Sequence, residues 1–451
     1  MTPYYLFFAL LAPIAFKLLP VRHAILLAFL GGWLALPVGQ YASVDVDVAF
    51  PWWIGGLALP SDIWWNKAWI VPTLTLIFAV IADRKALKSV KFSYFDVVVI
   101  AWCLWPLSGL VFSNSASPSA VISSLYLFAV WGASWCLARI WFSEHQDHIL
   151  LLKAITLSGL VCLPFAIVEG VFGVQLYSVV FHHHPFAADG FDRYVGYRPI
   201  GFFEHGNQYG IWVAVAAFSA CCLAVLQHNR PPIYLPIALV TCAIAFASQS
   251  VGAIALLFLG GVLLFIVRSK MVWYFFVAGL GMIVVALLLH VSGIVPVEAV
   301  ARKTDLGQSI ISFFRGIGRG SFTWRISQEI KTMALLDGHW VFGTHIWDWW
   351  RSAGVRPWGL WLLVIGQYGL VGFALLYGLL MTMVLSVFSQ MRGVAKLEPR
   401  LILAVIILIA LADSMLNAFF YFPAIIVAGA LVRNGGREMG GRNGGRSNVS
   451  A

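Results

Sequence analysis

The chain has 451 residues, 61% of them hydrophobic and only 11% charged, with a formal net charge of +10 and a mean hydropathy of +0.87. Soluble domains carry about 25% charged residues, so no water-exposed fold could hide this much apolar surface, and lipid must be the solvent for most of the chain. A chain crossing lipid satisfies every backbone N–H and C=O internally, which leaves helices or a closed barrel. Barrel strands alternate apolar and polar residues over about ten positions. Here 74–82, 253–267 and 272–289 are long apolar runs. The expected fold is all-α: a polytopic bundle of transmembrane helices with two large extracytoplasmic loops.

In chain order, spans are expected at 4–19, 24–38, 68–82, 95–112, 120–141, 149–171, 207–226, 233–247, 251–267, 271–291, 358–388, 401–413 and 418–432, about 12–13 in all. The first has neither a basic leader before it nor a small-residue cleavage site after it, and reads as a retained helix rather than a signal peptide. Several spans fall short of the roughly 20 residues that a full crossing prefers. The pairs 233–267 and 401–432 therefore read either as broken helical hairpins or as single spans with a re-entrant piece. Cys103, Cys136, Cys162, Cys221, Cys222 and Cys242 all lie in apolar runs without a C-x-x-C pattern, as small buried hydrophobes.

Cytoplasmic loops collect Lys and Arg. On that rule 83–91, with Arg84, Lys85, Lys88 and Lys91, is cytoplasmic, as are 17–23, the turn at Arg139, 227–232, 268–270 and 391–400. The opposite side receives 39–66, 113–119, 172–205 and 292–357. The chain thus divides into N-terminal helices (1–171), an extracytoplasmic loop (172–206), central helices (207–291), a long extracytoplasmic loop (292–357), C-terminal helices (358–432) and a flexible basic cytoplasmic tail (433–451). The tail suits anionic lipid headgroups better than nucleic acid. Within the long loop, 306–314 places Leu306, Ile310, Phe313 and Phe314 at helical spacing, which predicts a short amphipathic helix on the membrane surface.

The long loop breaks the charge rule. It holds Arg302, Lys303, Arg315, Arg319, Arg325, Lys331, Arg351 and Arg356 against Glu298, Asp305, Glu329, Asp337 and Asp348, and the shorter loop adds Arg193 and Arg198. Arginine's planar fork gives paired, charge-assisted hydrogen bonds to diphosphate. Trp324, Trp340, Trp347, Trp349, Trp350, Trp358 and Trp361 are interleaved, and an aromatic ring suits both the apolar face of a sugar and the lipid–water interface. Long loops do translocate largely regardless of charge. The combination nevertheless suits a glycan carried on a lipid diphosphate.

The stretch 198–210, RPIGFFEHGNQYG, is followed by SQSVGA at 248–253, SFTWRISQEI around Arg325, WVFG at 340–343 and QYGLVG at 367–372. In this order the motifs resemble those of the O-antigen ligase and polymerase superfamily. The resemblance implies a metal-independent membrane glycosyltransferase without a cofactor. It would take an undecaprenyl-diphosphate-linked glycan donor at the outer face of the bacterial inner membrane, with its active site toward the periplasm or exterior. The acceptor would be a glycan or a lipid, and a chain-length regulator protein could be a partner. Val251 stands where that family commonly has arginine, and 355–360, VRPWGL, has Arg356 where ligases often carry histidine. Polymerisation of repeat units, as in O-antigen or exopolysaccharide, is therefore favoured over the alternative, ligation to lipid A core or to a protein hydroxyl. A transporter or flippase would show inverted repeats and charged or broken helices at mid-membrane, and no clear repeat is present.

Arg198 and Arg325 are expected to grip the diphosphate and neutralise the leaving group, with Arg356, at the mouth of a helix, as a third. Glu204, His205 and His339 are candidates to accept the proton of the attacking hydroxyl. Asn207 reads as a helix N-cap, a substrate contact, or both. His182, His183 and His184 are adjacent and point in different directions, so no metal is expected. Glu169 and Asp413 are carboxylates within apolar spans, where ionisable groups are usually functional.

Overall fold

With no water to bond the backbone in lipid, helices should carry the chain, and helices are what forms. The computed structural model describes residues 2–38, 65–112, 117–181, 184, 196–227, 233–268, 303–316, 320–346, 349–355, 357–391, 394 and 396–432, with scattered positions between 271 and 289. Among the described residues there is no β-strand. In chain order the main helices are α1 (Thr2–Leu18), α2 (Val21–Ala35), α3 (Lys67–Ala82), α4 (Tyr94–Phe112), α5 (Ala120–Trp141), α6 (His145–Val168), α7 (Gly206–Leu226), α8 (Tyr234–Ala247), α9 (Val251–Arg268), α10 (Asp305–Gly316), α11 (Gly320–Met333), α12 (Leu360–Met391), α13 (Pro399–Leu416) and α14 (Pro423–Leu431). Six of them, α4–α7, α12 and α13, are long and apolar enough to cross a membrane, and five shorter apolar helices join them. The chain is a helical membrane protein. Much of the expected span 271–291, parts of both long loops and the tail after Val432 lie outside the described residues.

The two short pairs fold as hairpins. In α8–α9, Cys242 lies against Cys221, Ser250 against Gly210 and Gly260 against Phe218. Thus α8 runs antiparallel to α7 and α9 parallel to it, and Ser248–Gln249–Ser250 form the tip, with Gln249 at φ 51°. In α13–α14, the Arg400 guanidinium at the start donates to the Leu431 carbonyl at the end, at 3.1 Å. The tip here is the irregular stretch 417–422.

The span expected at 358–388 is not one smooth helix. Gly369 sits at φ 70°, and a π turn follows at Ala374–Gly378. The segment 340–345 lies along the break and takes up the freed backbone groups: Leu370 N–H donates to Trp340 O at 2.8 Å, and Thr344 and His345 N–H donate to Gly366 O and Gln367 O at 2.9 and 2.8 Å. A Cβ on Gly369 would lie 2.1 Å from Val341 O, so only glycine lets WVFG pair with QYGLVG.

Charge divides between the two ends of the bundle. At one end, Arg22 pairs with Asp147 at 3.0 Å, and Arg84, Lys85 and Lys88 are exposed. Arg139 departs from its reading as a loop charge. It is 2% exposed and clamps Asp96 Oδ1 at 2.9 Å, Lys91 O at 2.7 Å and Val432 O at 2.9 Å, because a helix end packed into the bundle needs its cation paired. The other end gathers the start of α7, both hairpin tips, α11 and the mouth of α12. The amphipathic helix expected at 306–314 is present as α10, with Leu306 and Phe313 exposed.

Candidate functional site

The site is built upward from Glu169. Its buried carboxylate accepts the Ile200 and Gly201 N–H groups, each at 2.7 Å, and the Leu176 N–H at 3.0 Å. That fixes the backbone immediately after Arg198. His205 then caps α7, its Nδ1 accepting the Asn207 N–H at 3.0 Å. The cap is therefore His205 and not Asn207, and the Asn207 amide is left for other partners. Arg198 lies across the first turn of α7, donating from Nε to Ser248 O at 3.2 Å and from Nη2 to Asn207 Oδ1. A Cβ on Gly206 would come within 2.5 Å of Arg198 Nε, so this crossing requires glycine.

Arg198 is fully buried. Packing against Gly206 and the Ser248 tip encloses it behind Asn207. From it runs a chain of hydrogen bonds, each amide accepting on one side and donating on the other. Arg198 donates to Asn207 Oδ1, Asn207 Nδ2 donates to Asn417 Oδ1 at 3.1 Å, and Asn417 Nδ2 donates to Asp413 Oδ1 at 2.8 Å. A buried cation is thus joined to a buried carboxylate through two oriented amides, an arrangement in which each bond polarises the next. The other Asp413 oxygen accepts no hydrogen bond among the described residues.

Arg325 joins the same network from α11. Its Nη1 donates to Leu416 O at 3.1 Å and reaches Asn417 Oδ1 at 3.4 Å, and its guanidinium lies 4.9 Å from the centre of the Trp358 ring. Unlike Arg198 it is only partly buried. Asn417 therefore connects four elements: α7 through Asn207, α11 through Arg325, α13 through Asp413, and α12, whose Leu360 N–H donates to its carbonyl at 3.0 Å. The two arginines expected to act together are brought to one site, bridged by Asn207 and Asn417.

Glu329 lies one helical turn beyond Arg325, on the same face of α11. Its Oε1 accepts the Gly359 N–H at 3.2 Å. Burial pushes its carboxyl up to about 7, against the opposing pull of the Gly359 and Trp361 hydrogen bonds and the Arg325 charge.

The remaining candidates lie elsewhere. Glu204 is buried near Lys67, and burial raises its carboxyl while the Lys67 charge opposes the rise. Lys67 itself donates to Trp33 O, Leu36 O and Phe202 O at 2.9, 3.2 and 2.6 Å, so this pair seals the ends of α2 and α3 against the loop before α7. His339 is exposed on a turn whose hydrogen bonds are backbone ones, to Leu336 and from Gly343. Arg356, His182 and His183 lie outside the described residues, and His184 bonds Phe203 O at 2.9 Å. Among the described residues no three His, Cys, Asp or Glu side chains gather as a metal site would require.

Compared with protein-family models, curated proteins and solved structures, the chain matches none.

Two residues of the site escape a reading of the sequence. Asn417 is an asparagine between apolar runs, four residues past Asp413 and just beyond the end of its helix. Glu329 reads as one loop acid among five, although the same spacing from Arg325 was there to be seen. Of the two carboxylates in apolar spans, Asp413 ends the network and Glu169 fixes the backbone that follows Arg198.

Proposed function

We propose that this protein polymerises undecaprenyl-diphosphate-linked oligosaccharide repeat units at the outer face of the bacterial inner membrane. The observation that carries the reading is the convergence of Arg198 and Arg325, from two separate loops, on one polar network at the end of an apolar bundle opposite its Lys- and Arg-rich end. Under the positive-inside rule the basic end is cytoplasmic, and the arginine site faces out. A lipid diphosphate reaches such a site with its prenyl chain in the bilayer and its glycan above. Arg325, partly exposed and braced on Trp358, takes the diphosphate directly. Arg198, behind Asn207, adds a buried positive charge, which acts over a longer range in a low-dielectric interior than in water. Together they stabilise charge on the leaving diphosphate.

The resemblance to the O-antigen ligase and polymerase superfamily supports the same reading. Its motifs, scattered over 198–372, pair in the fold: the first arginine stretch bonds the SQSVGA tip, and WVFG pairs with QYGLVG. Valine at 251 and arginine at 356 favour polymerase over ligase. The glycan length profile of a strain lacking this chain tests the proposal. Loss of long chains with single repeats retained is the expected result. Loss of all glycan from the acceptor indicates ligation, and an unchanged profile removes the proposal.

A further inference from the structure

We propose that Glu329 accepts the proton of the attacking sugar hydroxyl. This rests on the reading of the site as a glycosyltransferase. A hydroxyl attacking an anomeric carbon must lose its proton as the new bond forms, and a positioned base within hydrogen-bond reach supplies that. Glu329 shares a helix face with Arg325, one turn away, and is half-buried at the mouth of α12, where the Gly359 N–H and the Trp361 side chain hold its carboxylate. The other candidates among the described residues are otherwise engaged. Asp413 is enclosed behind Asn417, Glu204 belongs to the Lys67 pair, the His205 ring takes the Asn207 N–H, and His339 is exposed on a separate turn.

In the step itself the acceptor oxygen bonds to the donor's anomeric carbon. The bond from that carbon to the phosphate oxygen breaks, and its electron pair leaves on the polyprenyl diphosphate beside Arg325. The hydroxyl proton passes to Glu329 and from there to water. Among the described residues the charged group acting on the carboxylate is Arg325 from its own helix, and the α12 mouth offers the Gly359 N–H and the Trp361 indole. Burial holds the carboxyl up to about 7, so it is an effective base near neutral pH, and the rate rises with pH as it ionises.

The full-length protein in nanodiscs, given a synthetic polyprenyl-diphosphate oligosaccharide, tests this. If the wild type forms no glycosidic bond, the functional reading itself fails. If it does, Glu329→Gln is expected to lower kcat about 100-fold or more, to leave donor KM within about threefold, and to abolish the acid limb of the kcat profile. Glu329→Asp keeps that limb at a reduced rate, and decides the question alone should Glu329→Gln fail to accumulate. A Glu329→Gln enzyme with the wild-type acid limb, a loss confined to KM, or a Glu329→Asp enzyme identical to wild type in rate and profile overturns the proposal while leaving the glycosyltransferase reading in place.

Discussion

Replacing Asn417 with alanine removes the joint of the network. Arg325 loses its side-chain acceptor at 3.4 Å, Asn207 its acceptor at 3.1 Å, and Asp413 the donor at 2.8 Å. Asp413 suffers most, because its second oxygen already lacks a partner among the described residues. Stranding a buried charge costs about 3–5 kcal/mol, discounted here because nearby Arg325 still attracts it. A net destabilisation of about 2–3 kcal/mol is expected, from the loss of one hydrogen bond to a charged group. On the proposed function the rate should fall for a separate reason, since Arg325 keeps Leu416 O and the Trp358 ring but loses its side-chain tie to the network. Losing one such bond corresponds to about 10- to 100-fold in rate, at about 1.4 kcal/mol per tenfold. The double substitution Asn417→Ala with Asp413→Asn separates the two effects. Removing the stranded charge should return much of the stability, measured by thermal unfolding in detergent, and leave the extension rate low. If Asn417→Ala matches wild type in both measurements, or if Asp413→Asn restores rate and stability together, Asn417 does not position Arg325.

Arg325→Lys should recover little of the activity lost in Arg325→Ala, because lysine keeps the charge but loses the planar fork; full rescue, read as glycan extension, would make the contact a simple charge. Gly369→Ala should cost about 2 kcal/mol or more, from a strained φ and a Cβ 2.1 Å from Val341 O, and should appear as a lower unfolding temperature. Cysteines at Ser309 and Lys88, both exposed positions, should divide in intact cells: an impermeant thiol reagent labels Ser309→Cys and spares Lys88→Cys, and the reverse pattern would invert the topology. Phe313→Ser on the exposed apolar face of α10 should weaken use of long-prenyl donors more than short ones, and equal effects on both would remove α10 from the donor's path.

The helical bundle was legible because lipid leaves the backbone helices or a closed barrel and long apolar runs exclude the barrel; runs such as 120–141 and 207–226 mark its helices almost to the residue. The hairpins at 233–267 and 401–432 were legible only as two alternatives. Length shows that neither pair is two ordinary spans, whereas the direction of each half depends on contacts such as Cys221 with Cys242 and Arg400 with Leu431. Arg198 and Arg325 were legible because arginines in loops expected on the outer side break a charge rule. The burial of Arg198 was not, because it depends on Gly206 and the Ser248 tip, the latter 50 residues away in the chain. Asn417 and Glu329 carried no compositional anomaly, and their importance comes from which neighbours the fold gives them.

The central claim, that one site built around Arg198 and Arg325 extends a lipid-linked glycan, is tested most directly by giving the purified protein in nanodiscs a defined polyprenyl-diphosphate repeat unit and resolving the products by length. Wild type should yield a ladder of two or more repeats on one lipid, and Arg198→Ala and Arg325→Ala, folded and equally abundant, should each leave the single repeat about 100-fold less converted or worse. A wild-type protein that makes no ladder, or an Arg325→Ala protein that makes a normal one, would contradict it.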